Sequence, residues 1–387
     1  MKILHINRNY AFNKLHHLLI LNLQKKTTFE HEVFVPTSYE QSVENIDASY
    51  VNICKCFSLK DKYFYFRKQR KIMAAIEKSY YVPDYDLVHA YTLFTDGNCA
   101  YKLYKKYGIP YVVAVRNTDV NDFYKKIPLL RFRGQKILKN ASYVFFLSEN
   151  YRKKVFDNYI SSHYREKLYS KTFIVPNGVD EYWLKNRYLK KRDISLTRLK
   201  NKELVIIYAG RIDKNKNIET TIRAIEKLQH QGYKIEFWVV GKNEDQMVFD
   251  HILSKDFLKY KGCVDKEQLS LFYREADIFV MPSFTESFGL SYVEAMSQGL
   301  PVIYTKGQGF DGQYAEGVVG FHVDPHNDDD ICDKIYKIMD NYCKISGNCI
   351  RECLNFDWNS IAKEYINIYK KICLGVQGDK VKRDSEK

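Results

Sequence analysis

The sequence predicts an α/β protein made of two parallel-sheet domains, and three observations lead there. Short apolar runs alternate with longer amphipathic stretches, the pattern of strands joined by crossover helices. The same alternation restarts after a polar stretch near the middle of the chain. At 387 residues, 45% of them hydrophobic, the chain is too long for one ordinary core and apolar enough for two.

Taken in order, the first half offers Ile3–Ile6, Glu32–Val35, Leu87–Ala90, Tyr111–Val115, Tyr143–Leu147 and Phe173–Val175 as strands. Pro176-Asn-Gly178 then marks a turn, and the Lys-, Arg- and Asn-rich stretch Glu181–Lys202 reads as a solvated linker. The second half offers Leu204–Ala209, Ile235–Val240, Ile278–Met281 and Val302–Tyr304 as strands. A helix with Ile218, Ile222, Ile225 and Leu228 on one face follows the first of these. The segment Trp358–Cys373 spaces Trp358, Ile361, Ala362, Tyr365, Ile368 and Tyr369 as a helix that needs a surface to pack on. The boundaries expected are an N-terminal domain 1–185 with helix 358–374 added, a C-terminal domain 186–357, and a polar, disordered tail 375–387. A cleft lies between the two domains in this reading, with ligands beyond the carboxyl ends of the strands.

Charge and cysteine content narrow the function. Residues 1–180 hold 29 Lys and Arg against 16 Asp and Glu, whereas the rest hold 32 against 31, so the net charge of +14 sits almost wholly in the first half. No apolar run is long enough to span a bilayer, and Met1–Ile6 enters a strand directly, which argues against a signal peptide. Nine scattered cysteines without paired metal spacing read as reduced cytosolic thiols, with Cys54-Lys-Cys56 weak evidence for a metal.

The chemistry concentrates in Phe284–Gly299. An apolar strand precedes it, Glu286 sits in its loop, and a helix is expected from near Ser287 to Gly299, carrying Glu294 in its second turn. The N–H groups of Ser287 to Leu290 would open that helix as an anion cradle between two carboxylates. Gly210-Arg211 after the strand ending at Ala209, with Lys216 opening the next helix, is a phosphate site of backbone donors and two cations. A molecule with hydroxyls at its ends and phosphates between them, such as a nucleotide sugar, fits both. Paired carboxylates also suit a glycosidase, but such an enzyme has no use for the phosphate site beside them.

Gly210–Asn217, Pro282–Pro301 and Val175–Asp180 closely resemble the family 4 glycosyltransferases, retaining enzymes of the GT-B fold, and Glu286 and Glu294 match their E-x7-E motif. The match is specific over residues 172–325, and Phe356-Asp-Trp358 with the helix after it resembles the family's end, where the chain crosses back onto the first of two Rossmann-like domains. The resemblance implies that Arg211 and Lys216 hold the donor diphosphate and stabilise the leaving nucleotide without a metal or other cofactor. It also implies that Glu294 accepts bonds from the ribose hydroxyls and Glu286 orients the sugar. The backbone of Phe288, Gly289 and Leu290 would touch sugar and phosphate, and Gly210 would form the turn.

Two departures fall in the first half. Where many members carry a glycine-rich loop, this chain reads Asn7-Arg-Asn-Tyr-Ala-Phe-Asn13, so Asn7 and Asn9 are candidate acceptor-side donors. Where many carry His-Gly, it reads Arg116-Asn117-Thr118-Asp119. Arginine cannot shuttle a proton at neutral pH; Arg116 is a candidate catalytic residue acting by charge, with Asn117 and Asp119 on the acceptor side, or else half of an Arg116–Asp119 pair. Gly307–Gly312 is expected to line the donor side, Asp328-Asp-Asp330 to be a solvated helix start, and His89 to be a packed histidine. Lys60–Lys71 and Lys125–Lys139 mix cations with aromatic or aliphatic residues and suit anionic lipid headgroups, while no nucleic-acid motif accompanies them. The expected function is a metal-independent, retaining hexosyltransferase moving sugar from a UDP- or GDP-sugar to a glycan or lipid-linked glycan. Its expected place is the cytoplasm, at the inner face of the membrane, in cell-surface polysaccharide biosynthesis. The alternative is a non-catalytic nucleotide-sugar-binding subunit of a glycosyltransferase complex, motivated by Arg116.

Overall fold

A computed structural model describes all residues except 11–13, 39–48, 191, 195–197, 199, 386 and 387, with side chains undescribed at 62 and beyond Leu374. Two compact units emerge. The first comprises Met1–Leu147, Tyr151–Pro176 and Trp358–Lys387; the second comprises Ser148–Asn150 and Asn177–Asp357. Residues 177–185 therefore go with the second unit, although the sequence reading assigned them to the first.

The first unit holds a seven-stranded, all-parallel sheet in the order β3-β2-β1-β4-β5-β6-β7. Its strands are β1 Lys2–Ile6, β2 Glu30–Thr37, β3 Val51–Lys55, β4 Leu87–Ala90, β5 Tyr111–Val115, β6 Tyr143–Phe146 and β7 Thr172–Ile174. The second unit repeats the plan with six parallel strands in the order β10-β9-β8-β11-β12-β13. These are β8 Glu203–Ala209, β9 Lys234–Val240, β10 Leu258–Gly262, β11 Ile278–Val280, β12 Val302–Thr305 and β13 Gly320–Val323. In each sheet the chain winds outward from the first strand, then returns to that strand's other side. The reversal falls between β1 and β4 in one unit and between β8 and β11 in the other, and in each sheet the loops leaving these two strands flank a crevice of the kind where such sheets bind ligands.

Every run read as a strand forms one. The three strands that the periodicity missed, β3, β10 and β13, are edge strands with mostly half-exposed or exposed residues. Half-wetted edges carry no continuous apolar run, so the buried-strand signal is absent there.

Helix Trp358–Ser385 belongs to the first unit, and the tail expected to be disordered continues it. Its apolar face, Ile361, Ala362, Tyr365, Ile368, Tyr369 and Ile372, packs with Leu19, Leu23, Leu87, Val112 and Phe145 in one buried cluster. Full burial of side chains of this size is worth roughly 1.5–3 kcal/mol each.

Beside this cluster lies a layer of buried histidines. His5 Nε2 sits 2.9 Å from His31 Nδ1, and His5 Nδ1 lies 3.1 Å from the Tyr91 hydroxyl. His89 stacks on Tyr91 with ring centroids 4.1 Å apart, and its Nδ1 is 2.7 Å from the Tyr369 hydroxyl. His89 is thus the packed histidine expected.

The stretch read as a solvated linker is instead fastened to the second unit. Trp183 is buried against Tyr273. The Arg192 guanidinium donates to the carbonyls of Tyr273, Gln298 and Ala276, where two helices end, and Arg198 pairs with both oxygens of buried Asp277. Helix ends leave unpaired carbonyls that a guanidinium satisfies, so these cations serve packing rather than solubility. Residues 191, 195–197 and 199 of that stretch lie outside the described residues.

Burial, followed by neighbouring charge, lowers the basicity of His5, His16, His31 and His89, with His31 pushed down to about 4. In the unfolded chain these rings titrate near 6.5, so between that value and about 4 the unfolded state binds more protons. The first unit is therefore expected to lose stability progressively as pH falls through this window. Thermal melts across it check this, and a flat profile contradicts it. Tyr369→Phe, which strips His89 of its hydroxyl partner, is expected to cost about 1–3 kcal/mol in urea unfolding at neutral pH.

Candidate donor site and the switch point of the first sheet

In the second unit the loops after β8 and β11 meet at the switch point. Asp213 accepts from the Lys216 N–H and nucleates the turn that leads into helix Ile218–His230. Two asparagines bind this turn to its neighbours. Asn215 exchanges three bonds with Thr285, and the Asn217 amide donates to the carbonyls of Pro282 and Pro325. Lys216 is thereby held beside Glu286, with Nζ 2.6 Å from Oε2 and both side chains largely buried.

The helix carrying Glu294 begins at Leu290, three residues later than the sequence reading. The reason is Gly289, whose φ of +80° is left-handed and cannot belong to the helix. A Cβ there would lie 2.3 Å from the Tyr292 ring. The anion cradle shifts accordingly. The Ser287 N–H donates to the Glu286 carboxylate, and the open donors are the first helical N–H groups, Leu290 and Ser291. The Phe288 ring is buried against Phe310 and Phe356 and anchors the loop.

These parts surround a pocket of about 340 Å³ lined by Gly210, Lys216, Glu286, Gly289, Leu290 and Glu294, together with Gly241 and Val264. Arg211 stands 64% exposed at its side chain, with Asp213 at 3.5 Å, and Phe288 is not part of the wall. Gln308, which the sequence reading did not single out, accepts from the Glu286 N–H, and the Gly309 N–H donates to the Glu286 carbonyl. A Cβ on Gly309 would lie 1.8 Å from the Ser287 carbonyl oxygen, so glycine is required for the Gly307–Gly312 loop to close on Glu286. Asp328, Asp329 and Asp330 occupy the first turn of helix Asp328–Asp340, where Lys227 and Lys334 pair with them.

Glu294 has no hydrogen-bond partner for its carboxyl among the described residues. Burial, then the Asp180 charge, raises it to about 7. Its oxygens remain available for hydroxyl donors.

In the first unit the residues after β1 and β5 are tied inward. Asn7 is buried, donating to His16 Nδ1 and accepting from the Asn9 N–H, while Asn9 itself is exposed. Asp119 corrects the acceptor-side reading. It is fully buried and accepts from the N–H groups of Leu93, Phe94 and Arg116, so it holds two loops together. Its bond to Arg116 is through the backbone, whereas the Arg116 side chain reaches the Tyr91 carbonyl at 3.4 Å. Asn117 is half-exposed and accepts from Asn121. Residues 11–13 of the Asn7–Asn13 loop lie outside the described residues.

A family model described as Glycosyl transferases group 1 matches residues 190–352, and one described as Glycosyltransferase Family 4 matches 17–182. A probable sucrose-phosphate synthase of Thermosipho melanesiensis is 26% identical over 75% of this chain and 70% of its own length. An alpha-monoglucosyldiacylglycerol synthase of Acholeplasma laidlawii is 28% identical over 66% of this chain and 65% of its own. Among solved structures, sucrose-phosphate synthase of Thermosynechococcus elongatus superposes with a TM-score of 0.74 at 18% identity, covering 97% of this chain and 100% of that one. Anabaena HepE in complex with UDP-glucose gives 0.65 at 17%, covering 98% and 100%. The protein is a glycosyltransferase with the two-sheet α/β fold of the GT-B type. It belongs to the family 4 glycosyltransferases.

Because the folded protein holds the Glu294 proton more tightly than the unfolded chain, stability falls as pH rises from 4.5 to about 7, and the cost of an ionised Glu294 is complete above that. Glu294→Gln is expected to melt higher than the parent protein above about pH 7 and to match it below 4.5. Melting curves at the two extremes check this, and an equal difference at both contradicts it.

Proposed function

We propose that this enzyme is a metal-independent, retaining glycosyltransferase that takes its sugar from a UDP- or GDP-sugar and delivers it to a glycan or lipid-linked glycan. The observation that carries the reading is the convergence of Lys216, Glu286, Glu294 and a helix N-terminus on one pocket at a switch point. The N–H groups of Leu290 and Ser291 and the ammonium of Lys216 supply positive charge for the diphosphate, with exposed Arg211 able to swing onto it. Glu294 accepts from the ribose hydroxyls. Glu286, fixed by Lys216, Gln308 and Gly309, orients the sugar.

In the transfer step the bond from the sugar's anomeric carbon to the phosphate oxygen breaks. The electron pair leaves with the nucleoside diphosphate, whose charge Arg211, Lys216 and the helix dipole stabilise. The acceptor hydroxyl bonds to the same face of that carbon, and its proton passes to the departing phosphate. Arg116 assists through its guanidinium charge rather than by proton transfer.

Membrane contact is part of the proposal. No helix among the described residues is long and apolar enough to cross a membrane. On the first unit, however, Leu59, Tyr63, Phe64 and Phe66 are exposed, Tyr63 by 82%, among the cations Lys60, Arg67 and Arg70. Apolar side chains interleaved with basic ones suit an anionic bilayer surface at its cytosolic face.

Screening UDP- and GDP-sugars by thermal stabilisation identifies the donor, since a ligand of the folded state raises its melting point. With that donor, Lys216→Ala and Glu286→Ala are each expected to lower transfer at least about a hundredfold, and the product is expected to keep the donor's anomeric configuration. Undiminished transfer in both variants overturns the site, and inversion overturns retention. Phe64→Ser with Phe66→Ser is expected to weaken co-sedimentation with phosphatidylglycerol vesicles and leave binding to phosphatidylcholine unchanged; equal sedimentation of parent and variant removes the membrane contact.

A further inference from the structure

The loop that closes on Glu286 leads into a cluster that the donor site does not use. Asp311 belongs to the Gly307–Gly312 loop, Glu316 follows it, and His322 stands on β13 opposite Tyr304 of β12. His322 Nδ1 lies 3.1 Å from Asp311 Oδ1 and 3.1 Å from Glu316 Oε1. One imidazole nitrogen and two carboxylate oxygens thus converge within 4.8 Å of one another, the one place among the described residues where three such ligand atoms do so.

Hydrogen bonding alone satisfies this arrangement poorly. Nδ1 carries at most one proton in either charge state of the ring, yet two carboxylates stand at the same distance from it, and their like charges oppose each other. A divalent cation among the three atoms takes the Nδ1 lone pair and balances both carboxylates. The spacing suits one. Ligands about 2.1 Å from a common ion stand about 3.0 Å apart at a right angle and about 3.4 Å apart at the tetrahedral angle, and both histidine–carboxylate edges fall in that interval. The edge between the carboxylates is at most 4.8 Å, and Glu316, 40% exposed at its side chain, closes it by a small turn.

Each carboxylate is also held from behind, as metal ligands are. The Gly307 N–H donates to Asp311 Oδ2 at 2.6 Å, and the Tyr304 hydroxyl donates to Glu316 Oε1 at 3.3 Å. Asp311 is buried, while the partly exposed His322 and Glu316 leave a path from solvent. One imidazole among the ligands favours a transition ion such as Zn2+ over Mg2+ or Ca2+, which take oxygen shells. We propose that Asp311, Glu316 and His322 bind one divalent ion of the zinc class, water completing its shell, and that the ion ties the Gly307–Gly312 loop to β13. Gln308 and Gly309 of that loop hold the Glu286 backbone, so the ion braces the donor site from outside it. None of the three ligands lines the donor pocket, and the ion therefore stands apart from the metal-independent transfer step.

The test uses the full chain, stripped with EDTA and dialysed, without donor or acceptor. Calorimetric titration with Zn2+ is expected to show saturable binding of one ion at this site, with a higher melting point and slower hydrogen exchange at residues 307–312. Mg2+ and Ca2+ at the same concentrations are expected to do neither. His322→Ala and Glu316→Gln are each expected to weaken Zn2+ at least about tenfold. Glu316→Gln keeps an acceptor for Tyr304 at an exposed position, so its melt in EDTA is expected to match the parent's, and this variant decides should His322→Ala fail to fold. Co2+ serves as the spectroscopic probe, because Cys263 is exposed and a thiolate ligand would add a charge-transfer band. Absence of saturable Zn2+ binding, undiminished binding in Glu316→Gln, or a thiolate band that places the ion on cysteine overturns the site. Unchanged exchange with Zn2+ bound overturns the tie to the loop. Since nucleotide sugar is absent throughout, failure here leaves the glycosyltransferase reading standing.

Discussion

The 2.6 Å ion pair between Lys216 and Glu286 is the contact on which the donor site depends. It joins the loops that leave β8 and β11, the two strands between which the winding of the second sheet reverses. Each partner is largely buried, so each makes the other's charge tolerable where water is scarce. The surrounding bonds serve this pair: Asn215 locks one loop to the other, and Gln308 and Gly309 hold the Glu286 backbone from the far side. A lysine so restrained is a preorganised positive charge, which requires little reorganisation when a phosphate leaves.

Around that pair the second unit is reinforced by residues that look solvated in the sequence. Arg192 gathers carbonyls from the ends of two helices, one of which carries Glu294. Arg198 neutralises Asp277 beneath β8 and β11. Composition marked this stretch as linker because cations usually face water. The helix-terminal carbonyls that attract them come from residues some eighty to a hundred positions away.

The two switch points contrast in how their charge is handled. In the second unit Lys216 is paired, and the Glu294 carboxyl, without a hydrogen-bond partner among the described residues, lines the pocket. In the first unit Asp119 is consumed by three backbone donors. The carboxylate that looked available is structural. Local spacing cannot separate these cases, because a carboxylate's freedom depends on which backbone amides the fold turns toward it.

The sequence by itself determined what depends on neighbours along the chain. Ten apolar runs became strands, nine of them inside a sheet where a parallel strand is covered on both faces and one, β7, at an edge. The eight-residue interval between Glu286 and Glu294, with glycines and a lysine at set distances, marked the donor site because one loop and one helix carry it. Only the tertiary structure decided the rest. It supplied the three edge strands, too polar to announce themselves, and the left-handed Gly289 that delays the helix to Leu290. It turned the linker arginines inward and brought Arg8 and Lys68 over the Phe57 ring from three separate stretches. Such groupings arise where a parallel sheet reverses its winding, and no residue's near neighbours in sequence record where that reversal will set it.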